Sequence, residues 1–294
     1  MNGWPASLAS QFFEYRRDLK SGSGPSIATW GGPAESPYWI ELPEWIPRGK
    51  SVDSAGGVQR LVRDVAWAQV CLFYAVRIED DIFDGHLSRT PLALAPMLFL
   101  QESQLVFSTY FDGRSPFWEF YRKAIESTLE GILRVSELER DPMAPAEMLL
   151  RVYGDVDAIF SVGAAAVCEK LGMNSMLPAL CTFVMKVGKV AQAMDDIDDL
   201  DEDLADGRFN YAAKVLLARS GSSMTRPELL RNNLNAEAQD AAMEEISASL
   251  HSCLDQACHA VGPLELPGAL DLIEWYRRTV RQLSFKETIH TVRT

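Results

Sequence analysis

The sequence predicts an all-α protein, a single helical bundle, and three observations carry that reading. Almost no segment alternates apolar and polar residues with period two, whereas long stretches place apolar residues at i, i+3, i+4 and i+7, the spacing of one helix face. Glycine, proline or asparagine stands at most joints between those stretches: Asp112-Gly113, Asp141-Pro142, Gly172-Met173-Asn174, Asp206-Gly207 and Gly262-Pro263. No break in composition divides the 294 residues, so one domain spanning 1–294 is expected.

The elements follow in chain order. A first helix covers 8–20, and residues 21–56, rich in Gly, Pro, Ser and Trp, read as an irregular N-terminal wrap. The pattern is helical from 57 to 84, with Leu61, Val65, Ala68, Leu72 and Val76 on one stripe. Further helices are expected over 92–110, 116–139, 145–171, 175–205, 226–260 and 267–288. Two segments, 159–167 (with Gly163-Ala164-Ala165-Ala166) and 176–190, are apolar nearly all round and belong inside the bundle.

Composition narrows the function. Hydrophobic residues make up 47% of the chain, enough for a large core. A net charge of −13 and a pI near 4.8 exclude a nucleic acid or an anionic membrane surface as partner, since both demand a basic face. Cys71, Cys168, Cys181, Cys253 and Cys258 show no metal-type spacing and read as free thiols. The N-terminal residues carry no secretory pattern, and charged residues interrupt every apolar stretch before it can span a bilayer. A soluble, cytoplasmic protein is expected.

The acid is concentrated. Eight carboxylates and no basic residue lie between Asp195 and Asp206. Upstream, Asp80-Asp81-Ile82-Phe83-Asp84 closes the apolar 57–84 helix. Residues i and i+4 share a helix face, so Asp80 and Asp84 repel each other and call for a compensating cation or a solvated face. The preceding Val70-Cys71-Leu72-Phe73-Tyr74-Ala75-Val76 is buried in character, which sets the acids at the mouth of an apolar interior. Asp195-Asp196-Ile197-Asp198-Asp199 repeats the arrangement at the end of the 175–205 helix. Hard oxygen donors without His or thiolate favour Mg²⁺, which binds through a few carboxylates together with substrate phosphates. Two such rims can hold several Mg²⁺ ions against a diphosphate leaving group above an apolar cavity.

These motifs resemble those of the class I isoprenoid synthases, the trans-prenyltransferases and ionisation-initiated terpene cyclases. The likeness rests on Asp80-Asp81-Ile82-Phe83-Asp84 and on Gly188-Lys189-Val190-Ala191-Gln192-Ala193-Met194-Asp195-Asp196-Ile197-Asp198-Asp199, and it covers roughly 57–215. It implies a helical bundle with a central active-site cavity and Mg²⁺, three ions in all: two on Asp80 and Asp84, a third on Asp195 and Asp199. Asp81 joins these four as a catalytic candidate, and Asp196 is a further candidate ligand. Asp203-Leu204-Ala205-Asp206-Gly207-Arg208-Phe209-Asn210-Tyr211 is similar to an ending found in some bacterial relatives. Arg208, Gln192, Tyr211 and Lys189 are accordingly candidate diphosphate contacts, although Arg208 also reads as a helix-end arginine answering local acids. Val76 and Phe73 are candidate walls and floor of the hydrocarbon pocket, Phe73 lying roughly 10 Å below Asp80 at about 1.5 Å per residue. That depth suits a 15- or 20-carbon chain. A homodimer is implied by the resemblance alone.

The departures matter too. No Gly-Gly-Lys-Arg segment stands well upstream of Asp80, a single arginine, Arg89, follows the first motif, and Asp155-Val156-Asp157-Ala158-Ile159-Phe160 occupies the place of an expected Lys-Thr pair. A basic site for a second diphosphate is therefore missing. This favours a terpene cyclase over a chain-elongating synthase, and a prenyltransferase, elongating with isopentenyl diphosphate or prenylating a small molecule, is the alternative. A catalytically silent helical partner subunit is the reading from another class, and the intact motifs count against it.

Overall fold

The computed structural model describes residues 5–20, 37–49, 56–83, 91–220 and 236–285. Among them there are helices, turns and bends and no strand, as the periodicity predicts. The helices are α1 (Ala6–Lys20), α2 (Tyr38–Gly49), α3 (Gly56–Phe83), α4 (Ala95–Ser108), α5 (Pro116–Arg140) and α6 (Ala146–Val156), then α7 (Val162–Leu171), α8 (Leu177–Asp198), α9 (Leu200–Ala205), α10 (Tyr211–Arg219), α11 (Ala236–Val261) and α12 (Pro267–Val280). No described helix is long and apolar enough to cross a membrane.

Three expectations are corrected. The segment 21–56, expected to be irregular, contains α2 despite Pro43 and Pro47 inside it. Tyr38, Leu42 and Ile46, spaced by four, are all buried, and that face outweighs two prolines that read as breakers. The expected 145–171 helix is split by a 3₁₀ turn, Asp157–Ser161, and the 175–205 helix is split at Asp199. Helix α10 was not anticipated at all. Of the expected 226–260 helix, residues 226–235 lie outside the described residues.

The chain forms two compact units. The first comprises Met1–Ile125, Ile159–Pro178 and Leu264–Gly268. Its core joins Leu8, Phe12 and Tyr15 of α1 to Cys71, Ala75 and Ile78 of α3 and to Ala95 and Phe99 of α4. Helix α7 approaches α2 and α3 closely: a Cβ on Gly163 would stand 2.9 Å from Gln69 and 3.1 Å from Pro43. Gln69, itself fully buried, donates from Nε2 to the Phe160 carbonyl at 3.1 Å, satisfying a backbone acceptor in the 3₁₀ turn.

The second unit comprises Glu126–Ala158, Ala179–Pro263 and Ala269–Thr294. Here α6 ends against α5, where Thr128 Oγ1 donates to the Val156 carbonyl at 2.9 Å and Gly131 leaves room for the Val156 backbone. Two reciprocal contacts seat the chain on α8. Lys189 lies over Gly154, and one turn later Asp157 lies over Gly188. Along α8, Leu180, Phe183, Val184, Val187, Val190 and Ala191 are buried, which carries the helix through apolar surroundings to its acidic end.

Candidate active site

The first acidic motif closes α3. Asp80 is half-buried and Asp81 is buried, while Asp84 lies outside the described residues. The Asp81 carboxylate is held from two sides: Tyr15 of α1 donates to Oδ2 at 2.6 Å, and Arg77 reaches Oδ1 at 2.6 Å. The same guanidinium lies 3.7 Å from Asp80 Oδ2. A compensating cation for the adjacent Asp80 and Asp81 is thus present within the helix, one turn earlier at i−3 and i−4. Burial, then the Asp81 charge, pushes the Tyr15 hydroxyl far above its ordinary range, so Tyr15 stays a donor.

Below these acids, Phe73 stacks on Trp39 of α2 with ring centroids 5.0 Å apart, and Trp39 stacks in turn on Phe160 at 5.0 Å. Phe73 and its neighbour Val76 are half-buried. The structure therefore places Phe73 at one end of a three-ring stack. Phe107, another aromatic near α3, packs against Phe117 and Tyr121 as core.

The second acidic motif runs from the end of α8 into α9. Asp195 and Asp196 are 6% and 3% exposed, Asp199 is half-buried and Asp198 is exposed. Neighbours in sequence, Asp195 and Asp196 stand about 100° apart around the helix and meet different surroundings. Asp196 Oδ2 accepts from the Tyr153 hydroxyl and from the Tyr211 backbone N–H, the latter at 2.9 Å. Asn210 Nδ2 donates to the Asp196 carbonyl at 2.8 Å and to Asp203 Oδ2 at 2.6 Å. Burial holds the Asp196 carboxyl well above the usual carboxylate range. In this arrangement Asp196, proposed from sequence as a ligand, ties α8 to α6 and to the start of α10.

The other sequence candidates are placed as follows. Gln192 is half-buried, its Nε2 3.5 Å from Asp196 Oδ1. Arg208 lies 2.6 Å from Asp203 Oδ1 and 3.5 Å from Asp206, the local-acid arrangement. It follows Gly207, whose φ of +79° ends α9 in the left-handed conformation that glycine adopts without strain. Tyr211 is buried with its hydroxyl paired to Ser249, and burial pushes that hydroxyl up to about 12. Lys189 is buried among Lys186, Asp155 and Arg151, and burial lowers its ammonium pKa.

Reading the sequence missed Tyr15, Arg77, Tyr153, Asn210 and Asp157. Arg77 was open to detection by its spacing from Asp80 and Asp81. Tyr15 stands 66 residues from its partner, and no local signal links them.

Asp157 opens the 3₁₀ turn, is 2% exposed, and its Oδ2 has no hydrogen-bond partner. Burial holds its carboxyl well above the usual carboxylate range. The unfolded chain releases this proton near pH 4 at the ordinary aspartate pKa of about 3.9, whereas the folded chain keeps it. Stability from this group is therefore complete below that pH and is lost as pH rises towards the raised folded value. Asp157→Asn cannot ionise. We expect it to match the wild-type melting temperature near pH 4 and to exceed it by a few degrees at pH 7–8, measured by thermal unfolding across pH. A difference independent of pH contradicts this.

Among the described residues, no three or more His, Cys, Asp or Glu side chains gather closely enough to hold a metal ion by themselves. The described donors at each motif are carboxylate oxygens, few in number and hard. That set fits Mg²⁺, which keeps much of its shell as water and substrate phosphate, and does not fit a metal that needs a closed cage of protein ligands.

Neither protein-family models nor curated protein sequences match the chain. Its structure does match solved ones. It is similar to octaprenyl pyrophosphate synthase from Helicobacter pylori, with a TM-score of 0.65 and 11% identity over 92% of this chain and 98% of that one. It is also similar to geranylgeranyl pyrophosphate synthetase from the archaeon Geoglobus acetivorans (TM-score 0.68, 15% identity, 93% of this chain and 96% of that one). A polyprenyl synthetase from Streptomyces coelicolor matches with a TM-score of 0.65 and 15% identity, over 93% of this chain and 96% of that one.

Proposed function

From the class I isoprenoid synthase-like fold, shared over more than nine-tenths of the chain with these synthases, we propose that the protein ionises an allylic prenyl diphosphate. The observation that carries the reading is that two long helices of this fold, α3 and α8, each with a buried apolar face, lead into an aspartate motif. Bound Mg²⁺ supplies the positive charge that neutralises diphosphate as its bond to carbon breaks. Asp80 and Asp84 on the first motif, and Asp195 and Asp199 on the second, hold these ions, three in number by resemblance. Asp81 and Asp196 orient the two motifs through Tyr15, Arg77, Tyr153 and the Tyr211 backbone. Gln192 and Lys189 contact the diphosphate, with Tyr211 supporting them. Arg208 joins only by exchanging Asp203 for a phosphate. Val76 and the Phe73 ring flank the hydrocarbon, whose developing cation an aromatic face stabilises.

Two fates of the cation are distinguished by different observations. The solved neighbours are prenyl and polyprenyl synthases, which favours transfer of the prenyl group to an acceptor and puts first the reading that the sequence put second. Cyclisation is supported by the missing basic residues for a second diphosphate. The chain acts in the cytoplasm, as a homodimer by resemblance. Incubation with Mg²⁺ and the C10, C15, C20 or C25 allylic diphosphates, with and without labelled isopentenyl diphosphate, tests this. Longer labelled diphosphates establish transfer, and cyclic hydrocarbons or alcohols from one substrate alone establish cyclisation. Absence of turnover with every substrate contradicts the proposal.

A further inference from the structure

Arg77 is a guanidinium held against both described acids of the first motif, 2.6 Å from Asp81 and 3.7 Å from Asp80. Its side chain is 19% exposed, so solvent screens the contact little. Asp81 is anchored from its other side as well: Tyr15 donates to its second oxygen at 2.6 Å, and Tyr15 is itself fixed by the α1 core that Phe12 builds against Tyr74 and Phe99. Asp80, half-buried, meets Arg77 at the longer distance. Arg77 is therefore tied closely to Asp81, which Tyr15 holds, and lies at a longer distance from Asp80.

We propose that Arg77 is an internal counter-ion that takes the place of the metal at the first motif, holding the Asp80 and Asp81 charges together and weakening Mg²⁺ binding at Asp80 until substrate arrives. This rests on the reading of Asp80 as a Mg²⁺ ligand. A cation arriving at Asp80 meets the positive charge of Arg77 beside it, and Arg77 cannot withdraw far because Asp81, locked by Tyr15, retains it. The device limits occupation of the motif by Mg²⁺ alone. A diphosphate, bringing its own negative charge, removes the penalty. Tyr15 and Arg77 are positioning residues in this scheme, since they act through Asp80 and Asp81.

The test is Mg²⁺ titration of the full chain without substrate, read by calorimetry and by melting temperature, for wild type, Arg77→Gln, Arg77→Lys and Asp80→Asn. Arg77→Gln is expected to be less stable without metal, to bind Mg²⁺ about tenfold more tightly than wild type, and to gain more in melting temperature as Mg²⁺ is added. Arg77→Lys, which keeps the charge, is expected to stay within about twofold of wild type, and Asp80→Asn to bind more weakly than any of them. If Arg77→Gln is unfolded without metal, recovery of cooperative melting in millimolar Mg²⁺ supports the proposal and failure to recover overturns it. Equal or weaker Mg²⁺ affinity in folded Arg77→Gln also overturns it. If wild type and Asp80→Asn bind Mg²⁺ identically, the ligand reading beneath the proposal fails instead.

Discussion

Gly188→Ala is expected to destabilise the protein by about 3 kcal/mol or more, a large share of the roughly 5–15 kcal/mol that holds a typical domain folded. A Cβ at this position would stand 1.4 Å from Asp157 Oδ2 and 2.4 Å from its Cγ. Asp157 cannot swing clear, because it is short, fully enclosed and fixed in the 3₁₀ turn. Gly154→Ala is the matched comparison: its Cβ would meet Lys189 Cε at 2.5 Å and the Met185 carbonyl oxygen at 3.3 Å, and because the nearer atom belongs to a long side chain with several rotatable bonds, the cost should be smaller than that of Gly188→Ala. In the double variant Gly188→Ala with Asp157→Ala the colliding oxygen and Cγ are gone, and of the three nearest atoms the Asp157 Cβ at 2.9 Å stays. Urea unfolding of wild type, Gly188→Ala, Asp157→Ala and the double variant should therefore show the double variant more stable than Gly188→Ala alone, a coupling of about 1–2 kcal/mol. Purely additive effects would contradict the packing described for α8.

The second large effect concerns chemistry. Asp195→Asn should lower the rate of diphosphate release by about a thousandfold, the scale on which the loss of one group stabilising the departing charge is felt. Folding should change little, since Asn keeps the shape of a side chain that is only 6% exposed. Asp196→Leu should behave differently. Its carboxyl accepts hydrogen bonds from Tyr153 and the Tyr211 backbone, so its loss should lower the melting temperature and activity together. Kinetics and thermal unfolding on the same preparations separate the two: Asp195 is predicted to affect rate alone, Asp196 both. Equal behaviour of the two variants would remove the distinction between ligand and anchor.

Much of this was legible in the sequence. The stripe from Leu61 to Val76 and the apolar run through Val184 to Ala191 announced α3 and α8, because helical periodicity reports directly which face a core will cover. The acidic ends were legible for the same reason. Helix α2 was not, since Pro43 and Pro47 argue locally for a break, and only the burial of Tyr38, Leu42 and Ile46 overrides them. Nor was the 3₁₀ turn at Asp157–Ser161, which contains neither glycine nor proline and accepts a hydrogen bond at Phe160 from Gln69, far away in the chain, while Thr128 binds the Val156 carbonyl just before it. Within the motifs, sequence treats Asp195 and Asp196 alike, and Asp80 and Asp81 alike. The tertiary hydrogen bonds from Tyr153 to Asp196 and from Tyr15 to Asp81 come from residues far away in sequence. The short helix α10 falls below the length at which periodicity is informative, yet its first residues supply Asn210 and Tyr211 to the site.

The central claim, ionisation of a prenyl diphosphate assisted by Mg²⁺, is tested most directly by measuring inorganic diphosphate released from C15 and C20 allylic diphosphates by the wild-type chain, with Mg²⁺ and after chelation. Release that requires Mg²⁺, returns when it is restored, and falls about a thousandfold in Asp195→Asn is the predicted result. Release that persists in chelator, or that is undiminished in both Asp80→Asn and Asp195→Asn, would contradict it.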